Sequence, residues 1–300
     1  FIKYPLITRE SRLFAEIRES MKKNMFLLAG VLAVSLIGSS CSNAQKKASA
    51  ESEEQALFAC TDSTTMERGG VKLTWIRDNA KERLMPLSLF GNVPQQLIDS
   101  LGIADGIPSS ISTFLLEADG KRILFDTGMG APDSRLLDGL KSVGVSPADI
   151  DYLYLTHFHG DHIGGMMKGD SAVFPRAEVY AARQEYDGWM RMPDEQKAQV
   201  VATMTAYKDR LHLFEYGDTL PAGVVALNAE GHTPGHTAYQ AGGFLVVGDL
   251  MHGAALQLVR PDFCASYDMD PEKAVKSRKY YLDYARQNGL LMAGMHQPTR

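Results

Sequence analysis

The sequence predicts an α/β protein in which two β-sheets pack face to face and helices cover their outer sides. Short apolar runs that favour strands recur along the chain, and polar helical patterns separate them. The clearest helix begins at Asp270 and Pro271 and ends at Asn288 and Gly289, which are strong start and stop signals. The order strands, helix, strands, helix fits four layers of the type helix–sheet–sheet–helix.

Composition and charge set broad limits on function. The 300 residues are 45% hydrophobic, which is ordinary for a globular protein and leaves room for one large domain or two small ones. A formal net charge of −5, with no basic stripe in the sequence, argues against a nucleic-acid partner. A small-molecule substrate is expected, and the sequence predicts no particular oligomeric state. Cys41, Cys60 and Cys264 show no C-x-x-C spacing, and a disulfide between Cys60 and Cys264 is left open.

The first segment does not resemble the start of a native protein. Residues 1–20 carry no initiator methionine and little core-like periodicity. We interpret them as upstream, non-native sequence, with Met21 or Met25 as the true start. A short amphipathic helix is the alternative, but a secretion signal follows directly.

Residues 21–44 are predicted to be a secretory signal peptide. Basic residues precede an apolar run of about 13 residues, and small residues follow it. A membrane-spanning helix would need about 20 apolar residues. Two cleavage sites compete, one after Ala44 and one before Cys41, where the sequence resembles a lipobox with Gly38 in place of the usual Leu. We therefore expect an exported protein, either periplasmic or attached to the membrane as a lipoprotein through a lipidated Cys41.

A flexible tether and one folded domain are predicted to follow. Residues 45–68 are rich in Lys, Ala, Ser and Glu, which is typical of a tether. The folded domain is predicted for residues 69–300, beginning with the strand Gly70–Ile76. Next comes a proline-punctuated arm of loop and helix, Met85–Gly106. This arm either faces the substrate or simply packs on the domain, and packing is favoured.

Further elements follow in order. Two strands joined by the turn Ala118–Gly120 form a hairpin. Trp189, Met190 and Met192 fall in a helical insertion; they either line a pocket or form a buried helix face, which is favoured. The predicted strands are Ser110–Glu117, Lys121–Phe125, Asp149–Leu155, Ala177–Tyr180, Leu220–Leu227, Ala238–Val247 and Leu290–Ala293. The predicted helical segments are Ser134–Val143, Arg183 to about Leu211, and Pro271–Gln287.

A cluster of metal-type ligands follows the strand that ends at Thr156. His157, His159, Asp161 and His162 occur within one tight turn. Imidazole and carboxylate groups suit zinc and neighbouring divalent metals. Crowding them at a strand end would be electrostatically unfavourable without a cation. The pattern therefore predicts a metal site.

A second histidine pair lies in the segment Gly231–His236, where Pro234 and Gly235 indicate a rigid turn. His232 and His236 compete there for one ligand position. The residues alone leave this choice open.

Three more residues are candidates because of where their strands end. Asp249 follows the apolar run Phe244–Gly248, and an acid at such a position is costly unless it is paired. His252 lies just beyond Asp249, and His296 follows the last predicted strand. His212 alternates with leucines and is interpreted as a plain strand or surface residue.

Five segments together resemble the signature of the metallo-β-lactamase superfamily: Phe125–Gly128, His157–His162, Gly231–His236, Gly248–His252 and Gly294–His296. The resemblance runs from about Val71 to the C-terminus. It is strongest to the branch that holds acyl-homoserine lactone lactonases and methyl parathion hydrolase-like enzymes. It implies an α/β fold of the αββα four-layer sandwich type, with two mixed β-sheets flanked by helices.

The resemblance also implies a centre for two divalent metal ions. Zinc is the first expectation, although the same donors accept manganese, cobalt or iron. The implied ligands are His157, His159 and His232 for one ion, Asp161, His162 and His296 for the other, and Asp249 for both.

Three further residues are expected to support this centre or the substrate. The resemblance gives Asp126 the role of orienting the metal-binding loop. It makes His236 a structural neighbour of the ligands rather than a ligand. For His252, substrate contact and structural hydrogen bonding remain equal alternatives.

The expected activity is hydrolysis of a lactone or ester by a metal-bridging hydroxide in a secreted or periplasmic enzyme. Asp249 and Asp161 are the predicted catalytic carboxylates, Asp249 as the bridge and Asp161 as the group nearest the leaving oxygen. An organophosphate triesterase and a β-lactamase are the alternatives, although the common zinc β-lactamases carry Cys or His at the Asp249 position. A glyoxalase II-type thiolesterase is expected less, because its C-terminal helical domain has no room here. The chain ends at Arg300, where relatives continue over the site, so a C-terminal truncation is expected.

Overall fold

The computed structural model describes residues 63–298 of the chain. Its strands, numbered in chain order, are β1 (Ser63–Arg68), β2 (Val71–Arg77), β3 (Arg83–Met85), β4 (Ile107–Ser109), β5 (Ser112–Ala118), β6 (Lys121–Phe125), β7 (Tyr152–Tyr154), β8 (Met167–Lys168), β9 (Ser171–Ala172), β10 (Glu178–Ala182), β11 (Leu211–Phe214), β12 (Thr219–Leu220), β13 (Val224–Asn228), β14 (Thr237–Ala241), β15 (Phe244–Gly248) and β16 (Leu291–Gly294).

Seven α-helices accompany these strands in the described range. They are α1 (Gln95–Leu101), α2 (Leu136–Ser142), α3 (Gly160–Ile163), α4 (Arg183–Met190), α5 (Asp194–Ala206), α6 (Ala254–Gln257) and α7 (Pro271–Gln287). Short 3₁₀ turns lie at Leu87–Phe90, Pro147–Asp149, Gly164–Met166, Lys208–Arg210 and Pro221–Gly223. Between residues 63 and 298, no helix combines the length and apolar character that crossing a membrane requires.

Two mixed sheets dominate the fold. The first sheet has the order β1-β2-β5-β6-β7-β10-β11; its first four strands are antiparallel and the pairs from β6 to β11 are parallel. The second sheet has the order β12-β13-β14-β15-β16 and is antiparallel except for the parallel pair β15 and β16. The predicted pair of mixed sheets is confirmed.

The sheets pack face to face through one apolar cluster. Its members come from both sheets, including Leu73, Leu116 and Phe125 of the first and Tyr239 and Phe244 of the second. Burying such side chains contributes about 1.5–3 kcal/mol each. This shared core fixes the two sheets against each other.

Helices cover both outer faces. The outer face of the first sheet forms a second cluster with Leu140 of α2, Trp189 of α4 and Met204 of α5. Helix α7 covers the second sheet, where the Tyr281 hydroxyl donates to the Asn228 carbonyl oxygen at 2.6 Å. The four-layer αββα prediction is therefore confirmed.

Several local predictions agree with the structure. Asp119 and Gly120 both have positive φ angles in the β5–β6 hairpin, as its two-residue turn requires. Helix α7 has the predicted bounds, with the Asp270 side chain accepting from the Lys273 amide. The arm 85–106 packs in its own cluster with Met85, Phe90 and other apolar residues.

Three boundaries were predicted wrongly. The predicted strand Leu220–Leu227 is two strands, β12 and β13, separated by the 3₁₀ turn Pro221–Gly223. Ser63–Arg68, assigned to the tether, is an edge strand paired with β2 through the Gly69–Gly70 turn. Its polar composition resembles a tether because an edge strand offers only part of one face to the core, here chiefly Met66. The segment 238–247 is two strands, since Gly242 has a positive φ and begins a turn back into β15.

The remaining N-terminal predictions fall outside the described residues. They are the upstream segment 1–20, the signal peptide 21–44 with its lipobox-like Cys41, the tether up to residue 62, and Cys60. Cys264 is described, and its thiol is free.

Truncating a core side chain between the sheets should destabilise the fold strongly. Leu116 is fully buried there, so Leu116→Ala should lower the free energy of unfolding by about 2–5 kcal/mol. Leu137, with 45% of its surface exposed on α2, gives the matched control, and Leu137→Ala should change it by less than about 0.5 kcal/mol. Urea unfolding measures both. Equal losses would mean that the inter-sheet core is wrongly placed.

Candidate metal centre

Strand ends bring the candidate ligands to one edge of the two sheets. β6 and β7 run parallel, so the residues after them emerge at the same edge. The same holds for β15 and β16 in the second sheet. The Thr237 amide of β14 donates to the Thr156 carbonyl oxygen at 2.9 Å and joins the sheets at this edge. Asp126, the His157–His162 segment, Asp249 and His296 therefore converge from strands far apart in sequence.

The first group of candidate ligands consists of three imidazoles. Nε2 of His157 lies 3.0 Å from Nδ1 of His159, and that atom lies 3.0 Å from Nε2 of His232. These three nitrogens lie within 4.8 Å of one another, close enough to bind one metal ion together. His236 also packs against His157, with ring centroids 5.3 Å apart, but it is a ring nitrogen of His232 that approaches those of the β7-loop histidines.

The second group combines a carboxylate with two imidazoles. Helix α3 begins at Gly160, so Asp161 and His162 lie in its first turn. Oδ1 of Asp161 is 3.7 Å from Nε2 of His162, and Oδ2 is 3.5 Å from Nε2 of His296. Asp161, His162 and His296 form a second set with the spacing of metal ligands.

Asp249 lies between the two groups. Its Oδ1 is 3.2 Å from Nε2 of His162, while its Oδ2 is 2.9 Å from Nε2 of His296 and 3.4 Å from Nε2 of His232. The preceding residue, Gly248, has a φ of 50°, and a Cβ there would approach Nε2 of His236 to 2.5 Å. Only glycine lets the strand end this close to the ligands.

Asp126 lies beneath the first loop and forms hydrogen bonds to it. Its carboxylate accepts from the Thr156 amide at 2.8 Å, from the Thr156 hydroxyl at 2.6 Å and from Nδ1–H of His162 at 2.7 Å. Because the Thr156 hydroxyl donates to Asp126, it accepts from Nδ1–H of His157 at 3.0 Å. With Nδ1 engaged in this way, both rings turn Nε2 towards the centre.

Two further partners were not predicted from the sequence. Nδ1–H of His232 donates to Oδ1 of Asp268 at 3.0 Å, and Nδ1–H of His296 donates to the Ser110 carbonyl oxygen at 2.8 Å. Asp268 also accepts from Arg278 at 3.2 Å, and both side chains are buried. No sequence signal marks Asp268 or Ser110, because each reaches its histidine only through the tertiary fold.

His236 has both ring nitrogens occupied by the backbone. Nδ1–H donates to the Ala229 carbonyl oxygen at 2.9 Å, and Nε2 accepts from the Asp249 amide at 3.0 Å. The ring therefore fixes the chain at Asp249 and has no free lone pair for an ion.

His252 lies beside the ligands on the pocket side. Its Nε2 is 3.3 Å from Oδ2 of Asp249, and its ring stacks on that of His296 with centroids 5.3 Å apart. Neither ring nitrogen makes a well-formed hydrogen bond within the described part of the chain. The main-chain amide of His252 is held by Oε1 of Gln257 at 2.8 Å. The ring thus has donor and acceptor capacity left for a ligand.

Burial and mutual repulsion keep the first group neutral. Burial lowers the pKa of His157 well below its usual value, that of His159 to about 4 and that of His232 to about 3. For His162 and His296, burial also favours the neutral ring, but the neighbouring carboxylates outweigh it and raise both pKa values. Protonation of these two rings offsets the negative charge of the neighbouring carboxylates. Bound divalent cations would offset that charge instead.

The donor set fits divalent metal ions. Nε2 of His162 and Oδ1 of Asp249 face each other at 3.2 Å, are buried, and lack a hydrogen-bond partner among residues 63–298. Leaving such atoms unpaired is costly unless a cation joins them. Imidazole and carboxylate donors in sets of three, with a shared carboxylate, suit zinc and similar ions.

A cavity of about 360 Å³ opens onto this centre. The side chains of Arg83, Met85, Met129 and Tyr267 line it together with ligand residues and His252. The 85–106 arm thus packs in its own cluster, the favoured alternative, and also reaches the pocket through Met85, as the other alternative had it. Trp189 is buried in the second cluster, with Met190 and Met192 against it, so the predicted buried helix face is confirmed.

One histidine lies apart from the centre, as predicted. His212 is on β11 at the surface, where Nε2 is 2.7 Å from Oε2 of Glu178. Its ring stacks on Tyr180 with centroids 4.8 Å apart.

Sequence comparison places these residues among known hydrolases. The model of the metallo-beta-lactamase superfamily matches residues 106–285. A hydroxyacylglutathione hydrolase of Xanthomonas euvesicatoria is 31% identical over 137 residues, covering 46% of this chain and 44% of that protein. An N-acyl homoserine lactonase of a Bacillus species is 27% identical over 146 residues, covering 41% and 54%. The chain spans about half the length of these curated relatives.

Structural comparison gives a broader match. The hydrolase AbOPH of the beta lactamase superfamily superposes with a TM-score of 0.69 at 29% identity, covering 79% of this chain and 91% of that one. AidC, a dizinc quorum-quenching lactonase in complex with a product, superposes with a TM-score of 0.70 at 26% identity and the same coverage.

The two histidines of the Gly231–His236 segment should differ in their effect on metal content. His232→Ala removes one of three donors in the first group, so it should leave about one ion fewer per chain than the parent protein. His236→Ala removes only backbone contacts near Asp249 and should retain more metal. Elemental analysis of protein purified without chelators measures this. More metal in His232→Ala than in His236→Ala would show that the ligand assignment is wrong.

Proposed function

The chain belongs to the metallo-beta-lactamase superfamily, and we propose that it is a dinuclear metal hydrolase that opens a lactone or cleaves an ester. The observation that carries the proposal is the position of Asp249. Its buried carboxylate lies between two sets of three donors, at the floor of a cavity that a small molecule can enter.

Two divalent ions, with zinc as the first choice, are proposed for these sets. His157, His159 and His232 would hold one, Asp161, His162 and His296 the other, and Asp249 both. When bound, such ions lower the pKa of a coordinated water and polarise the substrate oxygen, which favours hydrolysis at neutral pH. The description of AidC as a dizinc lactonase supports this choice of metal.

The remaining chemistry falls to the protein side chains. Asp161 is 21% exposed and stands at the pocket wall, so it is placed to take up a proton and pass it to the leaving oxygen. The imidazole of His252 has unused hydrogen-bonding capacity beside Asp249 and can orient a substrate oxygen. Both roles are proposals for residues that line one cavity.

The wall of the cavity supports a small, partly apolar substrate. Met85, Met129 and Tyr267 offer apolar surface, while Arg83 adds a positive charge. This mixture suits an acyl compound with polar groups around the scissile bond. The lactonase relatives favour a lactone as that compound.

Other substrates remain as alternatives on the same centre. A thioester such as an acyl-glutathione is favoured by the hydroxyacylglutathione hydrolase relatives. Phosphotriesters and β-lactams are the organophosphatase and β-lactamase alternatives, and both use the same metal chemistry.

We further propose that the protein is exported. The basic start, short apolar run and small residues of segment 21–44 support this, and Cys41 or Ala44 would mark the cleavage site. Mass spectrometry of the protein from cells distinguishes the outcomes. A lipid-modified Cys41 means a lipoprotein, Gln45 at the N-terminus means a periplasmic enzyme, and an uncleaved chain contradicts export.

The substrate class is tested by a panel of lactones, esters, thioesters, phosphotriesters and β-lactams with the metal-loaded protein. Lactone opening should exceed β-lactam opening by at least about 100-fold in kcat/KM, equivalent to about 2.7 kcal/mol in the barrier. Efficient penicillin hydrolysis with inert lactones would contradict the proposed branch and leave the metal centre intact. A preference for thioesters would favour the alternative above.

Asp249→Asn tests the shared carboxylate. The amide keeps the size of the side chain but removes the negative charge that faces both groups of ligands. Hydrolysis should fall by about 100-fold or more even in samples that retain some metal. Activity per bound metal ion is the quantity to compare, and an unchanged value would refute the proposed role of Asp249.

A further inference from the structure

Glu185 is a buried carboxylate that takes no direct part in the proposed centre. It lies in the first turn of α4 and is 1% exposed. Oε1 accepts from the Phe158 amide at 2.9 Å and from Nε1–H of Trp189 at 2.6 Å. Oε2 accepts from the Thr233 hydroxyl and the Gly235 amide, both at 2.8 Å. Four donors use the lone-pair positions of the carboxylate, so none is left for an ion.

The donors belong to the two loops that carry the first group of ligands. Phe158 stands between His157 and His159, while Thr233 directly follows His232. Each carboxylate oxygen holds one loop by a backbone amide, Oε1 the β7 loop and Oε2 the Gly231–His236 segment. A single rigid group of two oxygens therefore sets the separation of the loops.

Close packing fixes the same spacing. A Cβ on Gly235 would lie 2.1 Å from the Glu185 amide nitrogen, and one on Gly188 would lie 2.7 Å from Cβ of Pro234. The Gly231–His236 segment is thus seated directly against α4. The Trp189 ring, held by Glu185, also meets the His159 ring edge-on with centroids 5.6 Å apart.

We propose that Glu185 is a positioning residue that holds the His157–His159 loop and His232 at the separation required by the first metal ion. The second group has anchors of its own, since Asp126 holds His162 and the Ser110 carbonyl oxygen holds His296, so the effect of Glu185 should fall mainly on the first group. The inference rests on the proposed two-metal centre. It identifies Glu185 as the residue that preorganises the first group of ligands.

Glu185→Gln is the sharpest test because the side chain keeps its size. An amide has one oxygen and one NH₂ group, and in either orientation the NH₂ group faces a backbone N–H, that of Phe158 or that of Gly235. One loop is therefore released. Affinity for the first ion should fall by about 10- to 100-fold, whereas affinity for the second should change by less than about threefold.

Titration of the metal-free full chain with Co²⁺ measures both steps, by calorimetry and by the visible absorption of the bound ion. The parent protein should bind two ions. In the variant, only the binding step assigned by its absorption to the three-histidine group should show a lower affinity for Co²⁺. Glu195→Gln, an exposed glutamate on α5, is the matched control and should bind like the parent.

The outcomes separate the inference from the proposed function. If the parent protein binds no ion, both the positioning role of Glu185 and the proposed function are contradicted. Two normal steps in Glu185→Gln, or equal weakening of both steps with a lower Tm of the metal-free chain, overturns the positioning role alone. If Glu185→Gln does not fold, Thr233→Val removes one donor to Oε2 and should weaken the first step alone by about threefold to tenfold. Unchanged binding in that variant also overturns the role.

Discussion

The structure depends on the burial of a charged group at the meeting point of two sheets. Asp249 is 2% exposed, and an isolated carboxylate at such depth would be severely unfavourable. It is tolerated because imidazoles from three separate segments surround it and His236 fixes its backbone. Each sheet contains a parallel pair of strands, β6 with β7 and β15 with β16, and the residues after these strands lie at one edge. A metal centre resolves the charge problem that this arrangement creates.

Rigidity of the centre comes from the residues behind the ligands. Four of the proposed ligand histidines have their outward ring nitrogen engaged, by Thr156, Asp126, Asp268 and the Ser110 carbonyl group. Asp268 is in turn anchored by the buried Arg278, which also binds the Leu250 carbonyl oxygen. The rings are therefore oriented by the fold before any ion arrives, which lowers the entropic cost of binding it.

The sequence predicted the fold class and most of the candidate site because both leave local patterns. Ligands that follow strand ends, as at His157 and Asp249, are visible as histidines or acids after apolar runs. Asp268 and Ser110 leave no such pattern, because Asp268 is 36 residues from His232 in the sequence and Ser110 is 186 residues from His296. Glu185 looks like an ordinary helical glutamate until its four donors are known. Ser63–Arg68 looks like a tether because sheet pairing, not composition, makes it a strand.

Anomalous diffraction from a crystal of the zinc-loaded protein, recorded on both sides of the zinc absorption edge, tests the central claim most directly. The account predicts two peaks on either side of the Asp249 carboxylate, one among His157, His159 and His232 and the other among Asp161, His162 and His296. A single peak in the alternative group formed by His232, Asp249 and His252, or no peak at Asp249, would contradict it.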